Sequence, residues 1–140
     1  MAELNIVEKV IALEAVELLK SLSPEQLARV ASIAREVSVP PGKVIFEAGK
    51  DVDALYVVLD GSVEIIRGGD TLLHARQNEV IGAWALFDDE PMQVTARAAD
   101  DVRLLKINRN DFFELLSDNI EIAAGIFTTL VRRFRKLVEG

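Results

Sequence analysis

The chain has 140 residues, half of them hydrophobic, and a formal net charge of −7. That composition can bury a core, which excludes a disordered segment, and the acidic balance stands against a nucleic-acid binder, which shows a basic stripe. With no cysteine there is no disulfide and no thiolate zinc site. No apolar run approaches the ~18–20 residues of a membrane span, and the N-terminus lacks the apolar core of a signal peptide. The expected location is the cytoplasm, as a free domain or as the cytoplasmic domain of a membrane-associated parent.

In chain order, the ends read as helix and the middle as sheet. Val7, Val10, Leu13, Val16 and Leu19 recur at helical spacing between Ile6 and Leu19. Ser23-Pro24-Glu25-Gln26 then offers a capping box with proline at the first helical position. The second helix is expected to bury Leu27, Val30, Ile33 and Ala34 and to end before Pro40-Pro41-Gly42, so that helices occupy 6–36. From Val44 the residues become β-rich. Val44-Ile45-Phe46, Leu55-Tyr56-Val57-Val58-Leu59, Val63-Glu64-Ile65-Ile66, Thr71 to Ala75, Val94 to Ala98 and Val102 to Ile107 read as strands of a β-roll over 40–107. Asp60-Gly61 predicts a tight hairpin turn, and Gly68-Gly69 a second turn. Helices return over 110–138, with Asn110 as N-cap and a last helix from about Asn119 to Val138. The expected class is α+β, mainly β: an antiparallel β-roll or jelly-roll (double-stranded β-helix) flanked by N- and C-terminal helices, in a single domain spanning 1–140.

One stretch carries the functional reading. Ile81-Gly82 opens a short helical-looking turn through Trp84, Ala85 and Leu86, which breaks at Pro91 before Met92, Gln93, Val94 and Thr95. A glycine leading into a helical turn presents free N–H groups, a cradle for an anion. Yet Asp88, Asp89 and Glu90 lie in it, and no Lys or Arg appears between Ile81 and Ala96.

Pro41-Gly42, Gly49, Asp53-Ala54-Leu55-Tyr56-Val57-Val58, Gly61-Ser62-Val63, Ile81-Gly82, Ala85-Leu86, Pro91, Thr95 and Asp111-Phe112 together resemble the cyclic nucleotide-binding domain superfamily. The catabolite activator protein and the regulatory subunits of protein kinase A are members of it. The resemblance covers nearly the whole chain. It implies a phosphate-binding cassette in which a helix N-terminus and an Arg grip the cyclic phosphate and a Glu accepts from the ribose 2′-OH. Gly82, Ala85 and Leu86 match that cassette. The Glu position is Ala83 and the Arg position is Met92, or Gln93 if the register slips by one. The ligand-binding set implied is therefore Gly82, Ala83, Trp84, Ala85, Leu86, Met92, Gln93, Val94 and Thr95. Losing two charged hydrogen bonds, at roughly 1.5–3 kcal/mol each, weakens binding on the order of 10²–10⁴-fold. The domain is expected not to bind cyclic AMP or cyclic GMP in the usual way.

The other chemistry-bearing residues have plainer readings. His74, the one histidine, has no metal-ligand spacing around it and reads as a strand residue. Trp84 reads as packing in the cassette turn. Arg97 shares strand parity with Thr95, which makes it a candidate substitute for the missing cassette Arg. Arg132-Arg133-Phe134-Arg135-Lys136 complements the dipole of the last helix, and the apolar face of 119–138 suits a homodimer. No enzyme activity, metal or cofactor is expected, beyond a cyclic nucleotide or other small ligand. The chain shows no helix-turn-helix, so no nucleic-acid contact is expected of this domain alone. The N-terminal segment resembles the lead-in found where such domains are fused to transporters or helical-repeat proteins. Three functions stay open: a regulatory or sensory module with a degenerate cassette, a structural or dimerisation module with a collapsed pocket, and a cyclic-nucleotide receptor using unusual contacts.

Overall fold

A computed structural model describes residues 3–83 and 91–140. Contacts divide the chain into two compact units: a helical one, Met1–Ile33 with Asn110–Gly140, and a β unit, Ala34–Arg109.

In the helical unit, α1 (Ile6–Glu14) begins with a capping box in which the Asn5 side chain accepts from the Glu8 N–H and Glu8 reaches back to the Asn5 N–H. The Asn-x-x-Glu signal was available in the sequence. The helix stops at Glu14, and Glu17–Leu19 forms a separate 3₁₀ turn, so the expected single helix to Leu19 is broken. The break lets Leu13, Val16 and Leu19 all be buried, while Val7 is exposed. Ser23 and Gln26 form the expected capping box of α2 (Pro24–Ser32). The terminal helices are α3 (Arg109–Asp118) and α4 (Ile120–Glu139). Asn110 lies within α3 and is not its cap. The Ile122, Ile126 and Thr129 side of α4 is buried. A Cβ on Gly125 would stand 2.6 Å from Leu22 Cδ2, and the Ser21 and Thr129 hydroxyls are 2.8 Å apart. The Arg29 guanidinium donates to the Asn119 side-chain oxygen, tying α2 to the start of α4.

The β unit contains eight strands among the described residues: β1 (Ala34–Val39), β2 (Val44–Phe46), β3 (Ala54–Asp60), β4 (Val63–Arg67), β5 (Asp70–Ala75), β6 (Val80–Ile81), β7 (Thr95–Ala98) and β8 (Val102–Asn108). They form two four-stranded antiparallel sheets, ordered β1-β8-β3-β6 and β2-β7-β4-β5. The core cluster takes residues from both, among them Phe46, Tyr56, Val58, Val63, Ile81, Ala96 and Leu104, together with Met92 from the connection before β7. The antiparallel β-roll with flanking helices is thus observed, with two corrections.

Residues 34–39 are strand, where the sequence suggested a helix to 36. Val37 and Val39 favour strand, and β1 pairs with β8 in register from Ala34↔Ile107 to Val39↔Val102. Tertiary pairing overrides the helical spacing of Ile33 and Ala34.

Asp60-Gly61 is not a hairpin turn, because β3 and β4 belong to different sheets. It is a corner where the chain changes sheets. There the Ser62 N–H donates to Asp100 Oδ1 (2.8 Å) and the Ala99 N–H to the Ser62 carbonyl (2.9 Å). Gly61 has φ +89°, and a Cβ on it would stand 2.3 Å from the Asp101 carbonyl oxygen. The two-residue hairpin sits at Gly68-Gly69, both at positive φ, between the paired Arg67 and Asp70.

Candidate functional site

The cassette entrance is set by backbone packing. β6 pairs with β3 through Tyr56↔Ile81 and Val57↔Val80, which brings the chain against β3 as it reaches Gly82. Gly82 is buried with φ +81°, and a Cβ there would lie 3.0 Å from the Ala54 carbonyl oxygen and 3.6 Å from the Phe46 ring. The positive φ favours glycine, and the tight approach to the Ala54 carbonyl adds to the cost of any side chain. Ala83 is partly exposed. Trp84, Ala85 and Leu86, together with Asp88, Asp89 and Glu90, lie outside the described residues.

The far side of the cassette is stitched to the loop after β2. The Gly49 N–H donates to the Met92 carbonyl (2.8 Å), and the Met92 N–H to the Lys50 carbonyl (3.3 Å). The Met92 side chain is in the hydrophobic core, 8% exposed. Gln93 is exposed, and Val94 packs against the same core. The Thr95 hydroxyl accepts from the Ala48 N–H at 3.0 Å, so it holds the loop. Of the sequence-derived set, Gly82 and Met92 are thus placed as parts of one packed frame. The clamp through Gly49 and Lys50 has no side-chain signature and was not foreseen.

Arg97 does not stand in for the missing Arg. Ala96 and Ala98 face the core, which turns Arg97 outward. Across the strand pair Glu64↔Arg97, its Nη2 donates to Glu64 Oε2 at 2.7 Å, and on Glu64's other side His74 Nε2 stands 4.0 Å from Oε1. Arg76 is likewise exposed, and its backbone N–H bonds Glu79.

A second feature appears only from the sheet register. Arg35, Lys106, Tyr56 and Ile81 stand directly opposite one another across β1, β8, β3 and β6. Directly paired residues of antiparallel strands share a face. Tyr56 and Ile81 belong to the core, so this row lies on the inner face. Lys106 Nζ is 6.0 Å from the centroid of the Tyr56 ring. Burial, with a smaller contribution from Asp53, pushes the Tyr56 phenol above its ordinary range. Among the described residues no three His, Cys, Asp or Glu side chains are placed to hold a metal ion.

Residues 36–119 match the family model described as a cyclic nucleotide-binding domain. The chain belongs to that family. It is 32% identical over 106 residues to a cAMP-dependent protein kinase regulatory subunit of Emericella nidulans, covering 74% of this chain and 26% of the relative. It is 32% identical over 124 residues to the cyclic AMP receptor protein of Thermus thermophilus, covering 85% of this chain and 57% of that one. The crystal structure of the N-terminal domain of a transcriptional regulator from Streptomyces coelicolor A3(2) superposes with a TM-score of 0.84 at 30% identity, covering 92% of this chain and 96% of that one. The chain therefore spans about a quarter of the fungal subunit and little more than half of the Thermus protein. The fungal relative is named as a regulatory subunit, the Thermus one as a cyclic AMP receptor protein and the Streptomyces one as a transcriptional regulator. Among the described residues no helix is long and apolar enough to cross a membrane.

Proposed function

We propose that this regulatory domain of the cyclic nucleotide-binding family carries a degenerate cassette, unable to hold cyclic AMP or cyclic GMP at micromolar concentration. The supporting observation is Met92. The family resemblance puts the phosphate-binding Arg at this position, and here an apolar side chain is folded into the core at 8% exposure. With Ala83 at the Glu position, no side chain remains in the described cassette to neutralise a phosphate or fix a ribose. The backbone frame around Gly82 survives, so regulation passes through another small ligand or through a partner, within a longer protein to which this domain is joined.

Calorimetry tests this. The wild type is expected to give no saturable heat with cyclic AMP or cyclic GMP below about 100 μM. The double variant Ala83→Glu, Met92→Arg is expected to gain saturable binding. Low-micromolar binding by the wild type would overturn the proposal in favour of a receptor with unusual contacts.

A second role, self-association through α4, is supported by its sequence register. Ile120, Ala123, Phe127, Leu130, Phe134 and Leu137 follow the alternating three- and four-residue spacing of a coiled-coil seam. Five of them are exposed: Phe134 by 67% and Leu137 by 84%, with Ile120, Phe127 and Leu130. Arg132, Arg133, Arg135 and Lys136 all fall outside that seam.

A further inference from the structure

We propose that Arg35 and Lys106 form an oxyanion site on the inner face of the β1-β8-β3-β6 sheet, receiving the phosphate or carboxylate group of a small ligand. The two residues are direct cross-strand partners. Like charges directly opposite on one face destabilise a sheet. Neither cation has a carboxylate within 4.0 Å among the described residues, and the neighbouring Glu36 is taken by Arg103 on the other face. Asp53 is the carboxylate that raises the Tyr56 phenol by its charge, and no ion pair joins it to Lys106 among the described residues.

Two like charges at paired positions, with no carboxylate partner among the described residues, in a protein of net charge −7, are relieved by a bridging anion. The row also grades in polarity. Arg35 is exposed, Lys106 is half-buried, and Tyr56 and Ile81 are buried. A ligand with a charged head toward Arg35 and an apolar or aromatic body toward Tyr56 matches that order. The row ends at Ile81, immediately before Gly82, at a span of roughly 10 Å from Lys106 at the usual strand spacing. The site does not rest on the cassette reading, because β1 and β8 supply the charge.

Thermal unfolding of the full chain in inorganic phosphate, citrate and chloride at matched ionic strength tests it, alongside the NMR signals of the Tyr56 ring, the one tyrosine. The wild type is expected to be stabilised saturably by phosphate or citrate relative to chloride, with the Tyr56 ring signals shifting along the same curve. Response to phosphate alone assigns a phosphate-bearing ligand, and response to citrate alone a polycarboxylate. Lys106→Met and Arg35→Gln are each expected to melt at or above the wild type in chloride, yet to need at least tenfold more oxyanion for the same shift. Lys106→Arg is expected to retain the response. Absence of an oxyanion-specific shift in the wild type, or an undiminished shift in Lys106→Met and Arg35→Gln, would overturn the site. Either result leaves the calorimetric test of the cassette unaffected.

Discussion

Truncation of Met92 separates a packed core residue from a ligand-facing one. The side chain is 8% exposed and clustered with the core of the β unit. Its backbone is held on both sides, by the Gly49 N–H at 2.8 Å and the Lys50 carbonyl at 3.3 Å, so the chain cannot collapse into a vacated space. Met92→Ala removes three heavy atoms, which at ~25 cal/mol per Å² over about 90 Å² is about 2 kcal/mol of transfer free energy. An unrelaxed cavity adds to this, and the sum falls within the ~2–5 kcal/mol measured for Met→Ala in cores. Met92→Leu keeps the volume and is expected to cost less than about 1.5 kcal/mol. Urea unfolding followed by circular dichroism reads both, and the alanine variant is expected to melt roughly 10 °C lower. A Met92→Ala cost below about 1 kcal/mol would show that the side chain faces an open pocket, and the case for a degenerate cassette would lose its main support.

Gly61→Ala is expected to lose about 2–4 kcal/mol, because it adds a left-handed penalty to a Cβ that cannot fit against the Asp101 carbonyl; a loss under about 1 kcal/mol in chemical denaturation would contradict the packed corner. Tyr56 should give tyrosinate absorbance at 295 nm only above its ordinary pKa of 10.0, whereas the urea-unfolded chain titrates at the ordinary value. Because the folded pKa is the higher one, the stability linked to the neutral phenol is complete below the unfolded pKa and is lost as pH rises through the folded one; coincident folded and unfolded titrations would refute the burial. Phe127→Asp with Leu137→Asp should abolish a concentration-dependent dimer in sedimentation while leaving the helical signal intact, and a wild type that stays monomeric at high concentration would dismiss the α4 seam.

The sequence carried six of the eight strands, β2 to β5, β7 and β8, because turn residues such as glycine, proline and aspartate punctuate their short apolar runs. It carried the caps of α2 because Ser23 and Gln26 act on neighbouring N–H groups. Its errors fall where distant partners decide. Residues 34–39 read as helix until β8 pairs with them, and Asp60-Gly61 reads as a hairpin until Asp100 and Ala99 hold it as a corner. The same cause hid the cationic row. With Arg35 placed on a helix, its position opposite Lys106 could not be read at all. The special backbone at Gly82 was legible as a glycine leading into a turn, whereas the burial of Met92 depends on a core drawn from both sheets.

The proposed degenerate cassette has a consequence for signalling. Gly82 against Ala54 and the Gly49–Met92–Lys50 clamp are backbone features, so on the proposed reading a cassette without its Glu and Arg keeps the fold while losing that ligand chemistry. A regulatory domain still needs a ligand or partner that binds one arrangement better than another. Moving a population from mostly one state to mostly the other takes about 5.5 kcal/mol of differential binding. Hydrogen bonds to charged groups supply roughly 1.5–3 kcal/mol each, so an anion must engage both Arg35 and Lys106 to approach that figure, and one cation alone gives a partial response. The position of these two residues suits the task. β1 follows directly from α2, and β8 runs directly into α3, so drawing Arg35 and Lys106 together acts on strand ends that continue into helices. A ligand that stabilised the wild type and Arg35→Gln equally would engage Lys106 alone, and its differential energy would then fall short of what a full switch requires.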